Sequence, residues 1–127
     1  MSRRIAASPP PGATLARSER LRDRGEFHRL FRRGARLDGP SFVLIWLAAA
    51  GPRAAAFATS RRVGGSVARN RIRRRLREAY RRQKALVPAA GLRLCFVARP
   101  RAGEVPFADL TQEMAEALQQ AARRLAS

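Results

Sequence analysis

Residues 60–82 read SRRVGGSVARNRIRRRLREAYRR, and the stretch carries two patterns on one helical period. At about 100° per residue, Ile72, Leu76, Ala79 and Tyr80 point to one side. Asn70, Arg74, Arg77 and Arg81 point to the other, with Arg71 and Arg73 on the shoulders. The first set needs a surface to pack against; the second needs water or an anion. Ser66 stands where a helix cap is expected, and Pro88 ends a helix that continues through Leu86.

The surface for the apolar stripe lies on both sides of this helix in the chain. Upstream, Ser41 to Leu47 (SFVLIWL) is a continuous apolar run rich in β-branched and aromatic residues, and Arg53 to Ser60 follows after Ala50-Gly51-Pro52. The Gly-Pro turn predicts that these two runs are antiparallel neighbours. A shorter strand is expected at Ala35 to Asp38, and Leu92 to Ala98 forms another buried one. From Asp23 to Arg33, Phe27, Leu30 and Phe31 recur at helical spacing among Arg24, Arg29, Arg32 and Arg33, with Gly34 as a stop. Phe107 to Leu125 places Leu110, Met114, Ala117, Leu118, Ala121 and Leu125 on one face of a final helix. The order α-β-β-β-α-β-α predicts a sheet covered by helices. Residues 1–16, with Ser8-Pro9-Pro10-Pro11-Gly12, read as a flexible basic arm, and residues 17–127 as one folded domain.

Composition bounds the function. Twenty-seven Lys and Arg against nine Asp and Glu give the 127-residue chain a formal charge of +18, and Lys84 is the one lysine. Such a surface repels itself unless its partner is a polyanion. Arginine grips phosphate bidentately and stacks on bases, although a GC-rich genome also favours its codons. Cys95 has no second cysteine to pair with, the first residues lack the apolar run of a signal peptide, and no stretch reaches the ~18–20 apolar residues of a membrane span. A cytoplasmic protein is expected. Zinc spacing, a Walker loop and a nucleophile elbow are all absent from the sequence. Asp109, Glu113 and Glu116 share a helix side, where they read as a solvated face near a helix start rather than as metal ligands. His28 reads as a polar helix residue and Cys95 as a small apolar one. No catalytic and no metal-ligating side chain is expected.

A solvated helix face interleaves signs to gain i, i+4 pairs. Glu78 is the one acid between Arg61 and Lys84, so the arginine face fits a nucleic-acid backbone better, and Asn70 adds a donor and an acceptor for a base edge or a 2′-OH. A ribosomal-type or nucleoid-type structural protein would share this charge. A membrane-active cationic protein would need an exposed apolar face beside the basic one, which burial of Ile72 and Leu76 would remove.

The combined pattern F-x-T-S-R-R-V-G-x-S-V-x-R-N-R-I-R-R-x-L-R-E, from Phe57 to Glu78, resembles the signature of the bacterial ribonuclease P protein component. Phe27, Phe31 and Gly34 resemble that family's first-helix pattern, and Leu94 to Arg99 its last strand. Arg61-Arg62 stands where the family usually has lysines. The resemblance implies an α/β (α+β) two-layer sandwich, a small mixed sheet packed by helices with a left-handed βαβ crossover, and a ribonucleoprotein endoribonuclease that cleaves precursor tRNA to generate the mature 5′ end. Catalysis would belong to the RNA subunit with its bound Mg²⁺, and the partners would be that RNA and precursor tRNA, with neither membrane nor small-molecule substrate. It further implies that Arg69, Asn70, Arg71, Arg73, Arg74, Arg77 and Arg81 face the catalytic RNA. A cleft between the first helix and the sheet would hold the 5′ leader, through Phe27, Phe31, Phe57, Ser60, Arg61 and Arg62. Core packing is the competing role for the three rings.

Overall fold

The computed structural model describes residues 24–59 and 61–126. The expected arm at 1–16, Ser60, and the side chains of Phe27 and Arg61 lie outside the described residues. The elements follow the expected order: α1 (Arg24–Arg33), β1 (Ala35–Asp38), β2 (Phe42–Pro52), β3 (Ala54–Thr59), α2 (Ser66–Gln83), β4 (Ala90–Ala98) and α3 (Phe107–Ala126). Short 3₁₀ turns at Arg61–Val63, Lys84–Leu86 and Pro100–Gly103 join them.

The four strands form one sheet in the order β1-β2-β4-β3. This corrects the hairpin expected at Gly51-Pro52, because β2 and β3 are not neighbours. β4 inserts between them, antiparallel to β2 and parallel to β3. One residue, Arg53, separates the two strands, and its N–H donates to Ala89 O at 2.9 Å. The chain therefore crosses the end of β4 instead of folding back on itself. The physical gain is that β4, apolar on both faces, obtains a partner on each edge. β3, α2 and β4 form the βαβ unit.

Alternation along the strands divides the core. Phe42, Leu44, Trp46, Ala55, Leu92, Leu94 and Phe96 pack under α2 and α3, against Ile72, Leu76, Tyr80, Leu110, Met114 and Leu118. Each large side chain so buried contributes about 1.5–3 kcal/mol. Val43, Ile45, Ala54, Ala56 and Cys95 face the other way and meet Leu30 of α1. Helices thus lie on both faces, the second covered by the short α1. Gly34, which follows α1, is needed for close approach: a Cβ there would lie 2.5 Å from Leu30 O and 2.8 Å from Ile45 Cγ2.

Two local expectations are corrected. Gly65, not Ser66, occupies the N-cap of α2, and no side chain bonds the free N–H groups there. Glu113 is half-buried rather than solvated, accepting from the Ser41 N–H at 3.1 Å and the Ser41 hydroxyl at 2.5 Å. It ties α3 to the start of β2. No helix among the described residues is long and apolar enough to cross a membrane, and no group of three or more His, Cys, Asp or Glu among them could hold a metal ion.

Candidate nucleic-acid interface

α2 buries Ile72, Leu76, Ala79, Tyr80 and Gln83, so its orientation is that expected from the periodicity. Its eight arginines are offset by Glu78 alone, yet most do not hang free. Arg69 Nη1 donates to Gly64 O at 2.5 Å, at the left-handed Gly64 (φ 125°). Arg71 Nη1 donates to Gly103 O at 3.1 Å. Arg73 donates to Thr59 Oγ1 at 3.2 Å and also to Asn70 Oδ1. Arg75, half-buried, donates to Ala102 O at 3.0 Å and to Val105 O, tying α2 to the turn before α3. A guanidinium has five N–H donors. Bonds to neutral carbonyls and hydroxyls leave the charge intact and fix the fork, which lowers the ordering cost of gripping a phosphate.

Arg81 and Arg82 differ, since both pair with Glu78. Burial pushes the Glu78 carboxyl up, but the hydrogen bonds and charges of the two arginines outweigh it and hold the group below its ordinary value. Arg75 is moved down by burial first and by the Arg71 charge second. Arg74 and Asn70 are exposed. Val67, 82 % exposed, adds an apolar contact on the same side, at i, i+3 and i+7 with Asn70 and Arg74. Its position on the helical wheel, off the Ile72–Leu76 stripe, was the signal that could have marked it.

Of the rings expected to share one cleft, Phe31 and Phe57 lie on opposite faces of the sheet. Phe57 stacks on Phe96 at 5.4 Å, meets Tyr80 edge-on at 5.8 Å, and is covered by the Arg77 guanidinium, all on the α2 side. Phe31 belongs to α1, whose Leu30 packs against the other face, and is 51 % exposed. Phe57 is thereby a core ring under an arginine, while Phe31 is open to solvent. Arg62 is exposed in the 3₁₀ turn before α2.

Comparison with known proteins agrees with this geometry. The family model described as Ribonuclease P matches residues 15–122. The ribonuclease P protein component of Acidothermus cellulolyticus is 39% identical over 99 residues, covering 74% of this chain and 80% of that protein. That of Streptomyces avermitilis is 36% identical over 115 residues, covering 83% and 93%. Among solved structures, the RNase P protein from Thermotoga maritima superposes with a TM-score of 0.71 at 26% identity, covering 80% of this chain and 96% of that one. The fold is shared as well with the Staphylococcus aureus RNase P protein, with a TM-score of 0.69 at 20% identity, covering 83% and 96%. A basic helix with one acid, laid on a mixed four-stranded sheet and matched over most of its length, places this chain in the bacterial ribonuclease P protein family, the protein part of the tRNA-processing ribonucleoprotein endoribonuclease.

Proposed function

We propose that the outward side of α2 binds the catalytic RNA of ribonuclease P, and that α1 with the turn before α2 holds the single-stranded 5′ leader of precursor tRNA. The observation that carries the first half is the row Arg69, Arg71, Arg73, Arg74 and Arg77. Three of these are braced by neutral acceptors, Arg77 rests on a ring, and Arg74 is open to solvent. Such a row neutralises backbone phosphates while Asn70 reads a base edge or a 2′-OH. Arg81, shared with Glu78, is placed at the weaker end of the row.

For the leader, exposed Phe31 supplies a stacking platform that tolerates any base, and exposed Arg62 supplies a cation for its phosphates. Phe27, Ser60 and Arg61 enter this proposal on the family resemblance alone. Phe57 acts through Arg77, whose guanidinium it supports.

The side chains perform no acid, base or nucleophilic step in this reading. Mg²⁺ held by the RNA would supply the metal chemistry of hydrolysis, and no residue of this chain is assigned to hold it. The protein lowers phosphate repulsion and fixes the leader, so that cleavage of precursor tRNA proceeds at lower Mg²⁺, in the cytoplasm. Mixing the protein with a bacterial catalytic P RNA at low Mg²⁺ tests the reading: precursor cleavage is rescued, and no rescue would refute it.

A further inference from the structure

The arginines of α2 are held in two different ways, and the change falls at Glu78. Upstream of it, Arg69, Arg71, Arg73 and Arg75 all donate to uncharged oxygens, those of Gly64, Gly103, Thr59, Asn70, Ala102 and Val105. Downstream, Arg81 Nε donates to Glu78 Oε1 at 3.0 Å and its Nη2 to Oε2, while Arg82 Nε donates to Glu78 Oε2 at 3.0 Å. Arg82 is turned further aside, its guanidinium carbon lying 5.3 Å from the centroid of the Phe107 ring at the start of α3. The upstream cations keep their full charge, whereas the downstream two already share a counter-charge.

Glu78 selects between neighbours. On the helix it has Arg74 at i−4 and Arg75 at i−3, as well as Arg81 at i+3 and Arg82 at i+4. It takes both downstream arginines, the orientation in which an acid stands N-terminal to its basic partner. Arg74 is left exposed, with no hydrogen bond or ion pair among the described residues. The Glu78 and Arg81 side chains are only 34 % and 18 % exposed, so water screens their pair in part. Arg69 to Arg77 thus carry six cations and no acid, whereas Glu78 to Arg82 carry two cations and one acid.

We infer that Glu78 is a specificity-determining residue of the RNA contact: by holding Arg81 and Arg82 it ends the full-strength phosphate row at Arg77 and so fixes the register in which RNA docks on α2. This rests on the contact between α2 and the catalytic RNA proposed above. Sequence-independent affinity grows with every cation that reaches a phosphate, whereas specific affinity needs one fixed register. From Arg69 to Arg77 the helix rises about 12 Å, the advance of three to four phosphates at about 3.4 Å each. A full-strength row continued to Arg82 would span about 20 Å and let a backbone slide by one or two phosphates at equal charge. Glu78 removes that freedom through the two arginines it holds.

The test uses the full chain, a bacterial catalytic P RNA and, as a sequence-independent probe, a single-stranded oligouridylate of roughly 12 nucleotides. Glu78→Gln removes the charge, keeps the shape and remains a good helix former, and thermal melting reads the fold. The variant is expected to bind oligouridylate more tightly, with a slope of log affinity against log salt steeper by about 0.7 for each released arginine that takes a phosphate, or about fivefold in affinity each at 0.1 M salt. Affinity for the catalytic RNA rises less, so the ratio of the two affinities falls. Arg82→Gln removes about fivefold of the gain in the Glu78→Gln background, and in the unaltered chain it leaves the oligouridylate slope as it was. An unchanged slope would make Glu78 a helix brace alone, weaker binding of both RNAs would make it an organiser of Arg81 and Arg82 for contact, and an equal gain for both would put charge in place of register. Each of these overturns the inference. Arg74→Gln separates the failures: an ineffective Glu78→Gln beside a weakened Arg74→Gln refutes this inference alone, whereas an Arg74→Gln that binds the catalytic RNA normally refutes the reading of α2 and this inference with it.

Discussion

The guanidinium carbon of Arg77 lies 5.7 Å from the centroid of the Phe57 ring, so an arginine of α2 is seated on a ring that also stacks on Phe96. The pair joins the charged surface to the core through one contact. A cation over an aromatic face at a partly exposed site contributes about 0.5–1 kcal/mol. Arg77→Ala is therefore expected to cost stability about that much while weakening RNA binding by about 1–3 kcal/mol, the range for a charge-assisted hydrogen bond. Phe57→Leu acts in the opposite proportion. It lowers stability through lost ring packing, worth about 0.5–1.5 kcal/mol beyond area, and weakens every RNA ligand equally. Urea denaturation and RNA titration of the two variants check the pattern, and a leader-selective loss in Phe57→Leu would contradict it.

The two sides of α2 separate binding from folding. Leu76 is fully buried, so Leu76→Ala should cost about 2–5 kcal/mol through lost transfer energy and the remaining cavity. Arg74 is exposed, so Arg74→Ala should leave the melting temperature within about 2 °C, as surface changes do, while weakening the catalytic-RNA complex. Thermal melting followed by circular dichroism, alongside the same RNA titration, reads both quantities. A destabilised Arg74→Ala with intact binding would mean that the row is structural.

Leader recognition is tested at Phe31. Because the ring is 51 % exposed, Phe31→Leu should leave stability and mature-tRNA affinity close to normal. Affinity for precursors should fall as leader nucleotides are added, by about 1–3 kcal/mol for each base that loses its stack. Holoenzyme affinity measured against leader length distinguishes this from a packing role, in which the curves for the two proteins run parallel.

Cys95 offers a test of the second core. Burial between β2, β3 and α1 pushes its thiol up to about 12 from an ordinary value near 9.0. A neutral buried thiol is a poor nucleophile, so a thiol reagent at pH 8 should leave the folded chain unmodified and react once urea unfolds it. The linked effect on stability has a definite sign. The unfolded chain releases the thiol proton first, so the contribution is complete below pH 9 and is lost as pH rises toward 12. Denaturation midpoints of the chain and of Cys95→Ala should converge or cross over that window; parallel midpoints would place the thiol in water.

Element order, the buried side of α2 and the long amphipathic α3 are legible in the sequence because each depends on a period shorter than one helix or strand. Ile72, Leu76, Ala79 and Tyr80 share a side whatever covers them. The family signature from Phe57 to Glu78 is legible for a related reason, since it is contiguous in the chain. Strand order was not legible. The apolar runs of β2, β3 and β4 look alike, and the Gly51-Pro52 turn favoured the nearest partner, yet pairing is decided by which strand gains most from two neighbours. The site was half legible. Arginine spacing marked α2, but the acceptors Gly103, Ala102 and Val105 of Arg71 and Arg75 lie about thirty residues away, and no local pattern reveals them. For the same reason the sequence named Phe31 and Phe57 together, and only the tertiary structure, by putting one on each face of the sheet, parted them. Composition determined that this chain meets a polyanion; packing determined which of its arginines remain free to do so.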